Sequence, residues 1–145
     1  MIVVKKPVPG DVLEDSILAN ITAAYFSVGK KLEHKTQCSA TRGFILSSLR
    51  GGVTLNKNQI ATALGFDRTV VHRAIQSMIQ EGLVSEKKAA TGRAINVHLT
   101  AKGNHYRQQL INARRAADEK LRKELTPEEQ VTLVRLLKQV SETQF

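Results

Sequence analysis

Early in the chain, Ile17, Leu18, Ile21, Ala24, Tyr25, Val28 and Leu32 recur at helical spacing. The stripe predicts an amphipathic helix over Leu13 to Lys35, after an extended lead that contains Pro7 and Pro9. The stretch from Cys38 to Ala40 interrupts it, and Ser39 is suited to cap a second helix whose inner face holds Phe44, Ile45 and Leu49. Gly51 and Gly52 end that helix, and Val53 to Leu55 is long enough only for a stub of strand. Asn56 followed three residues later by Gln59 is a capping box, and it opens a third helix with Ile60, Ala61 and Leu64 inward. Gly65 and Phe66 then turn the chain into Asp67, a good N-cap for a fourth helix from Arg68 to Gln80. Val71, Ile75, Met78 and Ile79 mark one side of this helix, while Thr69, His72, Arg73 and Gln76 mark the other.

Beyond Gly82 the period changes from helical to alternating. Leu83 to Lys87 and Ala94 to Leu99 read as two strands around a turn at Gly92, with Ile95, Val97 and Leu99 on the buried face. Thr100 caps a long fifth helix reaching Glu124, about 36 Å at 1.5 Å per residue. Thr126, Pro127 and Glu129 supply the cap, first-turn proline and box partner of a sixth helix carrying Val131, Val134, Leu137 and Val140. The fold class expected is therefore mainly α with a small β-hairpin wing, a single domain of six helices. Residues 39–100 form a winged helix-turn-helix lobe, and residues 11–36 and 101–145 form helices that seek a partner.

Composition narrows the function. The chain of 145 residues carries 22 Lys and Arg against 13 Asp and Glu, a formal charge of +9 that favours polyanions. The excess is concentrated: between Arg50 and Arg107 the cations are Arg50, Lys57, Arg68, Arg73, Lys87, Lys88, Arg93, Lys102 and Arg107, against Asp67, Glu81 and Glu86. Charge thus coincides with the helix, glycine turn, helix and hairpin order of a DNA-binding winged helix. No run of apolar residues approaches the roughly 18 that a membrane span needs, and the N-terminus lacks the apolar core of a secretion signal. A cytoplasmic location without a membrane partner is expected. Cys38 is the single cysteine, and His34, His72, His98 and His105 share no metal-ligand spacing. Neither a cofactor nor a metal is expected. With no phosphate loop, paired nucleophile and base, or glycine-rich nucleotide turn, enzymatic activity is not expected either.

In Asn56 to Leu64, Asp67 to Arg73, Gly82-Leu83-Val84, Arg93 and Leu99-Thr100-Ala101-Lys102-Gly103, the chain resembles the MarR family of winged helix-turn-helix transcription regulators. The resemblance implies a homodimer in which the first, fifth and sixth helices interlock. Each fourth helix would enter a major groove of a pseudopalindromic operator in double-stranded DNA. Arg68, Thr69, His72, Arg73 and Gln76 are then the candidates for reading base edges, since guanidinium suits guanine or phosphate and amide suits adenine. The resemblance places Arg93 at the wing tip, reaching into a minor groove, with Lys87, Lys88 and Lys57 on phosphates. Where the family usually has Asp two residues before that arginine, Thr91 stands here. Glu86 is expected to take over and steady Arg93 across the hairpin.

The resemblance also implies a pocket between the dimer helices and the DNA-binding lobe for a small aromatic or phenolic effector that relieves repression. Tyr25, His34, Phe44, His105 and Tyr106 are its candidate residues. Two other readings compete: a winged helix used for protein contact without specific DNA binding, and a thiol-based redox sensor through Cys38. Against the first, the outer face of the fourth helix has polar residues where a protein-docking helix shows apolar anchors. Against the second, Cys38 lies in a position that favours buried packing.

Overall fold

Local capping decides where the helices begin. In the computed structural model, which describes residues 15–144, α1 spans Ile17–Thr36 and starts on Ser16, whose hydroxyl accepts the Ala19 N–H at 3.2 Å. The helix thus starts at the first residue of its apolar stripe and not at Leu13 as expected, and Leu13 lies outside the described residues, as does the proline-containing lead. Ser39 caps α2 (Ala40–Ser48), and a 3-10 turn at Arg50–Gly52 follows. The capping box is formed: Asn56 accepts from Gln59 N–H at 2.8 Å, the Gln59 side chain accepts from Asn56 N–H at 2.9 Å, and α3 (Lys57–Leu64) results. Gly65, at φ 65°, turns the chain in the left-handed region where a Cβ is costly, and Asp67 then starts α4 (Arg68–Gln80).

A three-stranded antiparallel sheet completes the winged lobe, with β1 (Leu55–Asn56), β2 (Val84–Lys88) and β3 (Ile95–Leu99) in the order β1-β3-β2. Val97 pairs with both Leu55 and Glu86, so it sits at the centre of the sheet and is fully buried. Ile95, expected on the buried face, is half exposed. It pairs with Lys88 at the far end of the hairpin, where the wing projects beyond the core.

The core is shared by α2, α3, α4 and the sheet. Ile45, Leu46, Leu49, Ile60, Val71, Ile75, Met78, Val84 and Val97 are sealed from solvent, as the inward positions of these amphipathic elements require. On α2 the inner face is Ile45, Leu46 and Leu49. Phe44, one position away and so turned by about 100°, faces the edge of the lobe instead of its centre, against the expectation.

Helix α5 (Ala101–Lys123) leaves the lobe at a tight joint. Gly103 packs so closely that a Cβ there would lie 1.8 Å from the Leu83 carbonyl oxygen, which makes glycine obligatory. Helix α6 (Pro127–Ser141) opens on the Thr126 and Glu129 box and, like α1, buries none of its residues in this chain. No helix among the described residues is long and apolar enough to cross a membrane.

Candidate nucleic-acid interface and adjoining cavity

Helix α4 has one closed face and one open face. Val71, Ile75 and Met78 are fully buried, and Ile79 is half-buried beside them. Arg68, Thr69, His72, Arg73 and Gln76 are all exposed. Among the described residues, the side chains of Arg68, His72, Arg73 and Gln76 make no hydrogen bond or ion pair, so their donors are free for an external partner. Asp67 accepts the Thr69 and Val70 backbone N–H groups at 2.7 and 3.4 Å, and these bonds hold its carboxyl below the ordinary value of 3.8. The capping carboxylate is thereby spent on its own helix end.

The wing lies beside this helix in sequence and carries the second group of candidates. Lys87, Lys88 and Arg93 are exposed and unpaired among the described residues, and Gly92, at φ 83°, makes the turn that presents Arg93. Lys57 behaves differently. Its Nζ lies 2.6 Å from Glu86 Oε1, tying the start of α3 to β2. Glu86 therefore engages Lys57 and does not steady Arg93. Its place opposite Val97 in the register sets its carboxylate nearer the helix start than the wing tip. Ser85 and His98, directly paired across the hairpin, join through Ser85 Oγ and His98 Nε2 at 2.8 Å.

A cavity of about 240 Å³ opens between α1, α2 and α5. An engineered apolar cavity of about 150 Å³ admits benzene, so one aromatic ring fits this space. Tyr25, Val28, Leu32, Phe44 and Leu110 supply apolar wall, and Glu33 and Arg114 supply charge. Phe44 meets Phe66 edge to face at 5.9 Å, and the Arg114 guanidinium lies over its ring at 6.0 Å. Arg114 has no carboxylate partner among the described residues.

Of the five effector candidates, Tyr25 and Phe44 line this cavity. Tyr106 is half-buried beside Cys38, which also lines it. Burial pushes the Tyr106 hydroxyl up to about 12 and raises the Cys38 thiol above 9.0, so both stay protonated near neutrality. His34 and His105 are exposed and lie outside the cavity, His34 in the last turn of α1 where a basic side chain suits the helix dipole. Sequence reasoning missed Arg114 and Glu33. Their spacing on long charged helices resembles that of any solvated residue, and the cavity becomes apparent only once α1 crosses α5. Among the described residues, no cluster of His, Cys, Asp or Glu is arranged to hold a metal ion.

No protein-family model matches the sequence, and no curated protein matches it. Solved structures do. A mutant of MarR from E. coli complexed with operator DNA is 21% identical, with a TM-score of 0.77 over 90% of this chain and 98% of that chain. A probable transcriptional regulator from Pseudomonas aeruginosa is 20% identical, with a TM-score of 0.78 over 88% of this chain and 98% of that one. The PcaV transcriptional regulator from Streptomyces coelicolor, in complex with its natural ligand, is 16% identical, with a TM-score of 0.77 over 90% and 95%. These likenesses establish architecture: the chain has the winged helix-turn-helix fold of the MarR transcription regulators.

Proposed function

We propose that this protein is a sequence-specific DNA-binding transcription regulator that acts as a homodimer and represses until a small aromatic or phenolic ligand releases it. The observation that carries the reading is the open face of α4. It presents Arg68, Thr69, His72, Arg73 and Gln76 on a helix whose opposite face is sealed into the core. Such a helix fits a major groove, where each base pair offers a distinct pattern of donors and acceptors. Lys87, Lys88 and Arg93 on the projecting hairpin supply cations for phosphates and for a narrow minor groove.

The homodimer follows from exposed apolar surface on α1 and α6, which a second copy of the chain would cover. The ligand follows from the cavity, where apolar walls and Arg114, which has no carboxylate partner among the described residues, suit one planar ring bearing an acidic or phenolic group. One of the similar structures is complexed with operator DNA and another with its natural ligand, in keeping with both parts.

Fluorescence anisotropy tests the reading, using a duplex selected by this protein from a random pool and a scrambled duplex of equal length. Over about 50 to 200 mM salt, about eight phosphates neutralised per dimer give a log–log slope near −7. The selected duplex is expected to bind at least about a thousandfold more tightly than the scrambled one. Equal and weak binding to both overturns the proposal in favour of a winged helix serving protein contact.

A further inference from the structure

Helix α4 is fastened at one end. Glu81, at its C-terminus, takes a hydrogen-bonded ion pair from Arg42 of α2 and the Ser77 hydroxyl at 3.0 Å. Its backbone carbonyl accepts Lys102 Nζ of α5 at 2.7 Å, and the next carbonyl, of Gly82, accepts the Thr100 hydroxyl at 2.6 Å. At the other end Asp67 bonds within its own helix. Among the described residues, no side chain of another element hydrogen-bonds to residues 67–76. The DNA-facing half of α4 therefore takes its direction from the clasp at Glu81 and from the apolar packing beneath it.

Arg42 also stands close to the cavity, four residues beyond Cys38, which lines it. Tyr106 of α5 is half-buried beside Cys38, and among the described residues the Arg42 Nε is buried without an acceptor. One side chain thus joins the first turn of α2, just after the cavity-lining Cys38, to the end of α4, linking residues 39 apart in sequence.

We propose that Arg42 is the positioning residue that couples the cavity to α4: a group occupying the space beside Cys38 displaces Tyr106 and Arg42, loosens the bond to Glu81 and lets α4 tilt. This rests on the reading of α4 as the helix that enters DNA. The leverage is large. A helix of 13 residues is about 20 Å long, so a tilt of about 10° at Glu81 carries the Arg68 end about 3 Å, as far as a hydrogen bond reaches.

The single cysteine gives a direct probe. Alkylating Cys38 with N-ethylmaleimide at pH 9, with mass spectrometry for stoichiometry and circular dichroism for folding, places bulk in the cavity wall. Affinity is then read against the duplex this protein selects from a random pool. Alkylation is expected to weaken wild-type binding by about fivefold or more, whereas Glu81→Gln starts weaker and changes by less than about twofold. Arg42→Lys, which keeps a charge for Glu81, retains the response, and Arg42→Met abolishes it. If alkylation unfolds the chain, Ala40→Leu, at another cavity-lining position, replaces the label and is judged by the same comparison.

Equal weakening of wild type and Glu81→Gln overturns the coupling, as does an unchanged wild type. If selection returns no preferred duplex, the DNA-binding reading itself fails and the coupling falls with it. A preferred duplex with no difference between the variants refutes the coupling alone.

Discussion

The two regions of this molecule treat apolar side chains in opposite ways. In the winged lobe, nine large apolar side chains are sealed to below 2% exposure, and the core closes within one chain. On α1, α5 and α6, by contrast, twelve large apolar side chains stand in solvent, from Ile17 at 72% to Val140 at 36%. The lobe solves its burial problem alone, while the terminal helices leave theirs open in the single chain. A lobe with a closed core can hold α4 in place. If a second copy covers the terminal helices, as proposed, that scaffold fixes the distance between two such helices.

The sharpest way to break the lobe is from within. Ile75 on α4 is fully buried, and Ile75→Ala removes its branched side chain from a core with little freedom to collapse. A loss of about 4 kcal/mol is expected, seen as a lower urea midpoint at every protein concentration. A midpoint within experimental error of wild type would mean that the core is looser than its closed packing indicates.

Damage to the terminal helices has a different signature. Leu137 on α6 is nearly half exposed in the single chain and lies on the apolar side that a second copy would cover. Leu137→Glu puts a carboxylate into that contact, with an expected cost of about 3 kcal/mol, which is about a hundredfold in dimer affinity. Sedimentation equilibrium at micromolar concentration should show wild-type dimer and variant monomer, with thermal unfolding of the wild type dependent on concentration. A monomeric wild type would leave the apolar faces without the partner assigned to them.

The same contrast explains what the sequence disclosed. Caps were legible because a hydroxyl or amide reaches a backbone N–H three residues on, as with Asn56 and Gln59 or Thr126 and Glu129. The two faces of α4 were legible because burial there follows the helical period. Long-range pairings were not legible. Glu86 had several cations within plausible reach, and only the folded packing of α3 against β2 shows that it meets Lys57. The Arg42 clasp joins a helix start to a helix end across the lobe, and neither residue advertises the other in a one-dimensional pattern. Among the effector candidates, Tyr25 and Phe44 came together because both lie where α1 and α2 face each other, whereas His34 and His105 point to solvent.

A smaller effect sharpens the comparison at the open face of α4. Arg73 is exposed and unpaired among the described residues, so Arg73→Ala should leave the urea midpoint unchanged within about 0.5 kcal/mol. Affinity for the selected duplex should fall by about 2 kcal/mol, or about thirtyfold, when measured by anisotropy at constant salt. Unchanged affinity would mean that this face of α4 is merely solvated.

The smallest expected effect lies at the N-cap of α4, where charge and stability can be separated by pH. The Asp67 carboxyl is held below 3.8 because the Thr69 and Val70 N–H groups favour its charged form. A depressed folded value means that the charge contributes stability above the unfolded value, and that the contribution is lost as pH falls through the folded one. Asp67→Asn keeps an oxygen to accept these N–H groups and removes the charge. Urea midpoints of wild type and variant should therefore differ slightly at pH 7 and converge as the pH falls below 3.8. The difference stays small because Asp67 is fully exposed and water screens its charge. A gap that persists undiminished at acid pH would show that the cap acts through geometry alone.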